Sequence, residues 1–156
     1  MRVLVLLLGF LLLSGCAEKA PPPEKFQFTA KTLDGAELRG DKLVGQPVVL
    51  WFWTPWCPSC NAEAPLVAKM AARYPKVQFV GVAAQDELAA MKKFVSDHGM
   101  DAFPSLADLD GEVWRRFGVT AQPTFAFVRP DASVELLVGS PAEEQLDARI
   151  SSLVSG

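Results

Sequence analysis

The chain has 156 residues, of which half are hydrophobic and 21% are charged, and its formal net charge is −3 with a pI of about 5.2. This length suits one domain with a buried core, and the composition argues against a disordered chain. Because no cluster of lysine and arginine stands out, the charge pattern also argues against a nucleic-acid partner.

Residues 1–15 resemble the signal peptide of a bacterial lipoprotein. An arginine follows the first methionine, and the apolar run over 3–13 is shorter than the about 20 residues that a membrane-spanning helix needs. The run ends in "LSGC", which resembles a lipobox and implies that Cys16 becomes a lipid-bearing N-terminus. The alternative is an ordinary signal peptide with an incidental cysteine.

Residues 16–25 contain three consecutive prolines between charged residues, which predicts an extended membrane-proximal linker. Residues 26–156 then form the folded domain. If Cys16 carries lipid, the other two cysteines, Cys57 and Cys60, remain as a pair in an oxidising compartment, where a disulfide can persist.

The pattern of the domain predicts strands interleaved with helices. In chain order we expect a hairpin over 26–45 that turns at Asp34-Gly35, a buried strand over 47–53, a helix over 59–74, a strand over 77–83, a helix over 87–98, a short helix within 103–118, strands over 124–128 and 134–138, and a last helix N-capped by Ser140. This order predicts an α/β fold with a central sheet covered on both faces.

Cys57 and Cys60 lie where the first buried strand meets the first long helix, in "WTPWCPSC". Unpaired N–H groups and a partial positive charge at a helix N-terminus stabilise a thiolate. We therefore expect Cys57 to attack and Cys60, one turn further along, to resolve the mixed disulfide.

Three other interpretations of the cysteine pair are weaker. Zinc needs four ligands, and the two thiols can add a single histidine, His98, so no metal or other cofactor is expected. A purely structural disulfide would close a very short loop and restrain the unfolded chain little. Thr54 matches the Thr-x-x-Cys core of peroxiredoxins, but the proline that they carry four residues before the threonine is Leu50 here.

The segments "VVLWFWTPWCPSC", "VQFVGVA" and "DLDGEVWRRFGVTAQPTFAFV" together resemble the thioredoxin superfamily. The N-terminal hairpin and the helical segment between the central strands bring the chain nearer the TlpA/ResA/DsbE branch. The text from Phe26 to Val138 is most similar to actinobacterial DsbE/DsbF-type exported disulfide oxidoreductases. The resemblance implies a thioredoxin fold, a mixed sheet flanked by helices, with an N-terminal hairpin and a βα insertion of the TlpA/ResA type.

The resemblance also implies a substrate-binding surface. Pro123 would be a cis-proline facing the active-site disulfide, and the backbone of Gln122 would pair with a substrate peptide as a short added strand. Thr124 completes this motif, and Trp56, beside Cys57, is the expected surface contact for substrate.

One departure from the family bears on the direction of exchange. The position of the buried aspartate of thioredoxins is occupied by Trp51. The absence of this aspartate weakens the case for a thioredoxin-like reductase and favours disulfide donation. The branch resemblance implies acid/base support from an acidic residue after the second strand, where Asp86 falls, although Asp86 could equally be the N-cap of the next helix.

The leading hypothesis is a thiol:disulfide oxidoreductase that is held outside the cytoplasm by its lipid and donates the Cys57–Cys60 disulfide to reduced or misoxidised exported proteins. An unidentified membrane redox partner would restore the disulfide, and a monomer is expected. The main alternative is a client-specific reductase, for example in cytochrome c maturation. A peroxiredoxin-like peroxidase and a non-catalytic peptide-binding lipoprotein are less favoured.

Overall fold

The computed structural model describes residues 21–155, so the predicted signal peptide and Cys16 lie outside the described residues. The elements in chain order are a 3-10 turn at Glu24–Phe26, strands β1 (Thr29–Lys31) and β2 (Glu37–Arg39), a second 3-10 turn at Gly40–Leu43, β3 (Val48–Trp53), α1 (Pro58–Arg73), β4 (Gln78–Ala83), α2 (Leu88–Asp97), β5 (Ser105–Ala107), α3 (Glu112–Phe117), β6 (Thr124–Val128), β7 (Val134–Val138) and α4 (Glu143–Val154). Within this part of the chain, none of the helices combines the length and the hydrophobicity that crossing a bilayer requires.

The strands form a five-stranded mixed sheet in the order β5-β4-β3-β6-β7, and β1 pairs with β2 as a separate hairpin. Strands β3, β4 and β5 run parallel, whereas β6 is antiparallel to β3 and β7 to β6. The register pairs Trp53 with Ala83 and Phe52 with Thr124. The last residues of β3 and β4 and the first residues of β6 therefore share one edge of the sheet, which we call the carboxyl edge.

Strand β3 is buried at every position, as its continuous apolar run predicts. Alternate side chains of a strand point to opposite faces, and those of β3 enter two separate cores. Trp51 and Trp53 pack in the core that contains residues of α1, α2 and α4, and Leu50 and Phe52 pack in the core that contains residues of α3. The predicted α/β fold, a thioredoxin-like sheet flanked by helices, is confirmed.

The prediction for the start of the last helix is wrong. Helix α4 begins at Glu143, with Ala142 at the N-cap, so Ser140 does not cap it. Gly139, at a positive φ of 93°, ends β7, and Ala142 is still extended. Residues 139–142 therefore connect the sheet to the helix. The first hydrogen bond of α4 joins the Leu146 N–H to the Ala142 carbonyl.

Candidate active site

Cys57 occupies the N-cap of α1, and Cys60 lies one turn further into the helix. Both are buried free thiols. The Cys60 backbone N–H donates to Cys57 Sγ at 3.3 Å, so the sulfur takes one of the donors that a helix start leaves without a helical partner. Pro58 at the first helical position costs no hydrogen bond. The structure therefore brings the two predicted cysteines together at the carboxyl edge.

The two thiols differ in their surroundings. Burial, together with the hydrogen bond to Cys57, raises the pKa of Cys60 well above its ordinary value. Cys60 therefore holds its proton at neutral pH, and any step in which its sulfur attacks or leaves needs a group that takes or supplies that proton.

Glu63 is a candidate for this group, because its charge adds to the rise in the pKa of Cys60, and the sequence analysis missed it. It lies three residues after Cys60 on the same face of α1 and is only 5% exposed. Trp51 Nε1 donates to Glu63 Oε2 at 2.8 Å, whereas Glu63 Oε1 is buried without a hydrogen bond among the described residues. Burial raises the pKa of Glu63 to about 7, against the lowering effects of the Trp51 hydrogen bond and of the Ser140 side chain, which stands near the carboxylate without forming a hydrogen bond of ordinary geometry.

A signal for Glu63 is present in the sequence. The buried face of α1 contains Cys60, Ala64, Val67 and Met70, and Glu63 falls within this stripe. A charged residue at core spacing, one helical turn after a cysteine, indicates a buried carboxyl group. The carboxylate therefore reaches the site from α1, although the position where thioredoxins have their aspartate holds Trp51.

Trp56 stands at the surface beside the cysteines. Its side chain is 54% exposed, in contrast to the buried Trp51 and Trp53. Its indole N–H donates to the Gln85 carbonyl at 3.2 Å, which ties the loop after β3 to the loop after β4. Trp56 therefore has the exposure and the position that a substrate contact requires.

The Gln122–Pro123 peptide bond is cis, as the family resemblance implies. Pro123 is buried and Gln122 is half-buried. The pairing of Phe52 with Thr124 puts Pro123 at the carboxyl edge, where β3 leads into the loop of Cys57. The Thr124 hydroxyl is turned inward and donates to the Ala121 carbonyl at 2.7 Å.

Asp86 is half-buried in the loop after β4. Its carboxylate accepts a hydrogen bond from the Glu87 N–H at 2.7 Å. The alternative prediction that Asp86 is the N-cap of α2 is wrong, because the helix begins at Leu88 and Glu87 occupies the cap. Among the described residues no hydrogen bond joins Asp86 to either cysteine, and its acid/base role stays a prediction.

Asn61 and His98 hold the loop that carries the attacking cysteine. Asn61 Nδ2 donates to the carbonyls of Pro55 at 3.0 Å and of Cys57 at 2.8 Å. Asn61 Oδ1 lies 3.0 Å from His98 Nε2 at the end of α2, so the hydrogen bond requires that nitrogen to carry the proton. The His98 ring also packs against Phe94, with 4.3 Å between ring centroids. The backbone beside Cys57 is thus bonded through Asn61 to a second helix.

A known protein family and two relatives resemble this chain over most of its length. The model of the family described as AhpC/TSA matches residues 18–136. The soluble secreted antigen MPT53 of Mycobacterium tuberculosis strain H37Rv is 46% identical over 136 residues, which cover 85% of this chain and 78% of the relative. The thiol-disulfide oxidoreductase ResA of Bacillus anthracis is 29% identical and covers 97% of this chain and 94% of the relative.

Two solved structures are similar to this chain in both fold and sequence. MTB DsbF, in its mixed oxidised and reduced forms, is 49% identical with a TM-score of 0.82, and the match covers 84% of this chain and 98% of that chain. A secreted Mycobacterium tuberculosis disulfide oxidoreductase, homologous to E. coli DsbE, is 44% identical with a TM-score of 0.80. That match covers 85% of this chain and all of the other.

Proposed function

Because the chain belongs to the AhpC/TSA family, in its thioredoxin-like TlpA/ResA/DsbE branch, and is a thiol:disulfide oxidoreductase, we propose that it donates the Cys57–Cys60 disulfide to exported proteins. The presence of Trp51 at the position of the thioredoxin aspartate supports this direction, and the unequal setting of the two sulfurs supports exchange through Cys57. Cys57 Sγ accepts an N–H at a helix start, which favours it as the sulfur that client thiols attack and that later leaves. Cys60 is fully buried and out of reach of a client.

The exchange balances without a further reactant. A client thiolate attacks Cys57 Sγ, a client–Cys57 bond forms, the Cys57–Cys60 bond breaks, and Cys60 leaves with the electron pair and takes a proton. A second client thiolate then attacks the client sulfur of the mixed disulfide, and Cys57 leaves. The client gains one disulfide, and the protein becomes the dithiol.

Glu63 supplies the proton that Cys60 takes. With a pKa of about 7 this carboxyl is partly protonated at neutral pH, and its position one turn from Cys60 suits such a transfer. Asp86 is the second candidate for acid/base support. Exchange rates of Glu63→Gln and Asp86→Asn separate the two, because the variant that lacks the relevant carboxyl is the slower one.

The client is held by Trp56, by the backbone of Gln122 and by the loop of Pro123 and Thr124. The half-exposed Trp56 and the position of Pro123 at the carboxyl edge support this assignment. The protein acts outside the cytoplasm as a monomer, anchored by lipid on Cys16 and reoxidised by a membrane redox partner. The secreted nature of the relative MPT53 supports the compartment.

A client-specific reductase is the second candidate, and Glu63 is the observation that favours it. The replacement of an aspartate by Trp51 argues against a reductase, but Trp51 donates to another buried carboxylate, that of Glu63. As a base, Glu63 would deprotonate Cys60 for attack on a mixed disulfide between Cys57 and a client.

The equilibrium reduction potential distinguishes the two directions. Tryptophan fluorescence is followed in glutathione buffers, with Cys57→Ser as the control that must show no transition. A potential near about −120 mV, as for strong oxidants, is the expected result, and one near about −270 mV, as for thioredoxin, would assign the protein to the reductases. A Cys60→Ser variant should trap clients on Cys57 as mixed disulfides.

A further inference from the structure

Three large apolar side chains are exposed along the carboxyl edge, where soluble proteins ordinarily place polar residues. Trp56 follows β3, Leu88 follows β4, and Leu109 follows β5, with 54%, 39% and 61% of each residue exposed. Because these three strands are adjacent and parallel, the three side chains are neighbours at the carboxyl edge: Trp56 and Leu109 lie in loops, and Leu88 is the first residue of α2. We call Trp56, Leu88 and Leu109 the apolar ledge.

The ledge is continuous with the reactive cysteine. Trp56 adjoins Cys57 in sequence, and its indole bonds to the Gln85 carbonyl. Gln85 and Leu109 line one depression of about 300 Å³, and Leu109 and Leu88 line the next, of about 540 Å³. A chain that presents a thiol to Cys57 can therefore extend over the ledge without leaving the surface.

Carboxylates surround the part of the ledge nearest Cys57. Asp86 and Glu87 follow Gln85, and Asp110 follows Leu109, and none of the three forms an ion pair among the described residues. Arg115 is the cation beside this part of the ledge, and it donates to the Asp110 carbonyl, whereas Lys31 and Lys92 line the farther depression with Leu88. The balance favours an occupant with lysine or arginine beside its apolar residues.

We propose that the apolar ledge docks an extended, unfolded client segment that carries an apolar residue and a basic neighbour a few positions from its reactive cysteine. An unfolded chain exposes apolar residues that the folded product buries, so the ledge holds clients that still need a disulfide and releases them once they fold. This inference rests on the proposed exchange with exported proteins and adds the feature by which clients are chosen.

The geometry sets the spacing within the client. Leu109 follows the strand two positions from β3 in the sheet, which is about 10 Å at the usual strand separation. An extended chain advances about 3.3 Å per residue. The client residue on Leu109 is therefore about three positions from the attacked cysteine.

The test uses the full chain and pairs of peptides with identical composition. In one peptide a Leu-Lys pair stands three and four positions from a cysteine of a dithiol, and in the other the pair is moved beyond ten positions. Variants Leu109→Ser and Leu88→Ser are compared with Val154→Ser, which removes a similarly exposed apolar side chain from the end of α4. Values of kcat and KM are measured for each peptide, and reduced glutathione is the small thiol without a docking segment.

We expect Leu109→Ser to raise the KM for the closely spaced peptide about tenfold, with kcat and the glutathione rate unchanged and with no effect of Val154→Ser. Equal KM values for the two peptides, or equal effects of Leu109→Ser and Val154→Ser, would overturn the proposal. So would a dimer of the wild-type chain that Leu109→Ser dissociates in sedimentation, because the ledge would then bind a second copy.

Measuring KM for both the oxidation and the reduction of the peptides separates the docking proposal from the proposed function. Peptide disulfides are offered to the reduced protein, and peptide dithiols to the oxidised protein. If reduction is the faster direction, donation is wrong, but the dependence of KM on spacing still supports docking. If KM is the same for the closely and the widely spaced peptides, in both oxidation and reduction, the docking proposal is wrong whatever the direction of exchange.

Discussion

Two buried carboxylates, at the start of α3 and in the first turns of α1, are used in opposite ways. Asp108 is 3% exposed, and its two oxygens accept hydrogen bonds from the N–H groups of Val113 at 3.0 Å and Trp114 at 2.9 Å. Glu63 is about as buried, yet one of its oxygens accepts from Trp51 and the other lacks a hydrogen bond among the described residues.

The difference indicates which carboxylate is structural and which is reactive. Burial raises the pKa of both groups, so burial alone does not separate them. The oxygens of Asp108 are both occupied in holding the start of α3. Glu63 keeps an oxygen available one helical turn from Cys60, where a proton must move during exchange.

The largest effect is expected from Asp108→Ala. The change leaves two buried N–H groups of α3 without an acceptor, each costing about 2 kcal/mol, so the free energy of unfolding should fall by about 4 kcal/mol. Urea unfolding of the reduced protein measures this. Asp108→Asn, which keeps one acceptor oxygen, should lose less. A variant with an unchanged free energy of unfolding and a slower exchange rate would contradict the structural assignment of Asp108.

The next largest effect is a pH dependence of the free energy of unfolding, which arises from the ionisation of Glu63. Its pKa is about 7 in the folded protein against 4.5 for the unperturbed group, so between these pH values the folded state binds more protons than the unfolded state. The free energy of unfolding therefore falls by about 3 kcal/mol as pH rises from about 4.5 to about 7, and this loss is complete above that range.

Glu63→Gln removes this loss, because glutamine does not ionise. The difference in unfolding free energy between Glu63→Gln and wild type should grow by about 3 kcal/mol from pH 4.5 to pH 8. Urea titrations across that range measure it. Asp108 is present in both proteins, so its own titration cancels in the difference. A constant difference would mean that Glu63 ionises as an ordinary surface carboxyl does.

Exchange itself should slow in Glu63→Gln by about 100-fold at pH 7, which is equivalent to about 2.7 kcal/mol, because the variant cannot give a proton to Cys60 or take one from it. Stopped-flow fluorescence with a small dithiol measures the rate. The wild-type profile should bend near pH 7, and the variant profile should not. A bend that persists in the variant would assign it to another group.

The smallest effect concerns Asn61, a polar side chain that is fully hydrogen-bonded although it adjoins the active site. Asn61→Ala removes the donors to the Pro55 and Cys57 carbonyls, and it should cost about 1 kcal/mol of stability with no change in the shape of the pH profile. Asn61→Asp, which keeps an acceptor for His98, is the matched variant. A shifted bend in the profile would show that full hydrogen bonding does not exclude a chemical role.

The features that were predictable are those determined by neighbours in sequence. The apolar run of β3, the turn at Gly35 and the cysteines at the strand–helix junction each follow from a local rule, and the structure has all three. The Glu63–Trp51 hydrogen bond was not predictable in this way, because its partners are 12 residues apart and on different elements. Asp108 accepts from N–H groups five and six residues later in the chain, across a turn, whereas the usual capping patterns involve residues two or three apart.

The hydrogen bonds of Asn61 and His98 have a mechanical consequence. A loop between a strand and a helix is usually among the softer parts of a fold, but the backbone on both sides of Trp56 is bonded through Asn61 to the end of α2. The backbone of this loop should therefore move less than the other loops of the fold, which NMR order parameters would measure. We expect a stiff loop of this kind to limit the movement of the Cys57 sulfur, which leaves the client to supply the flexibility that exchange requires.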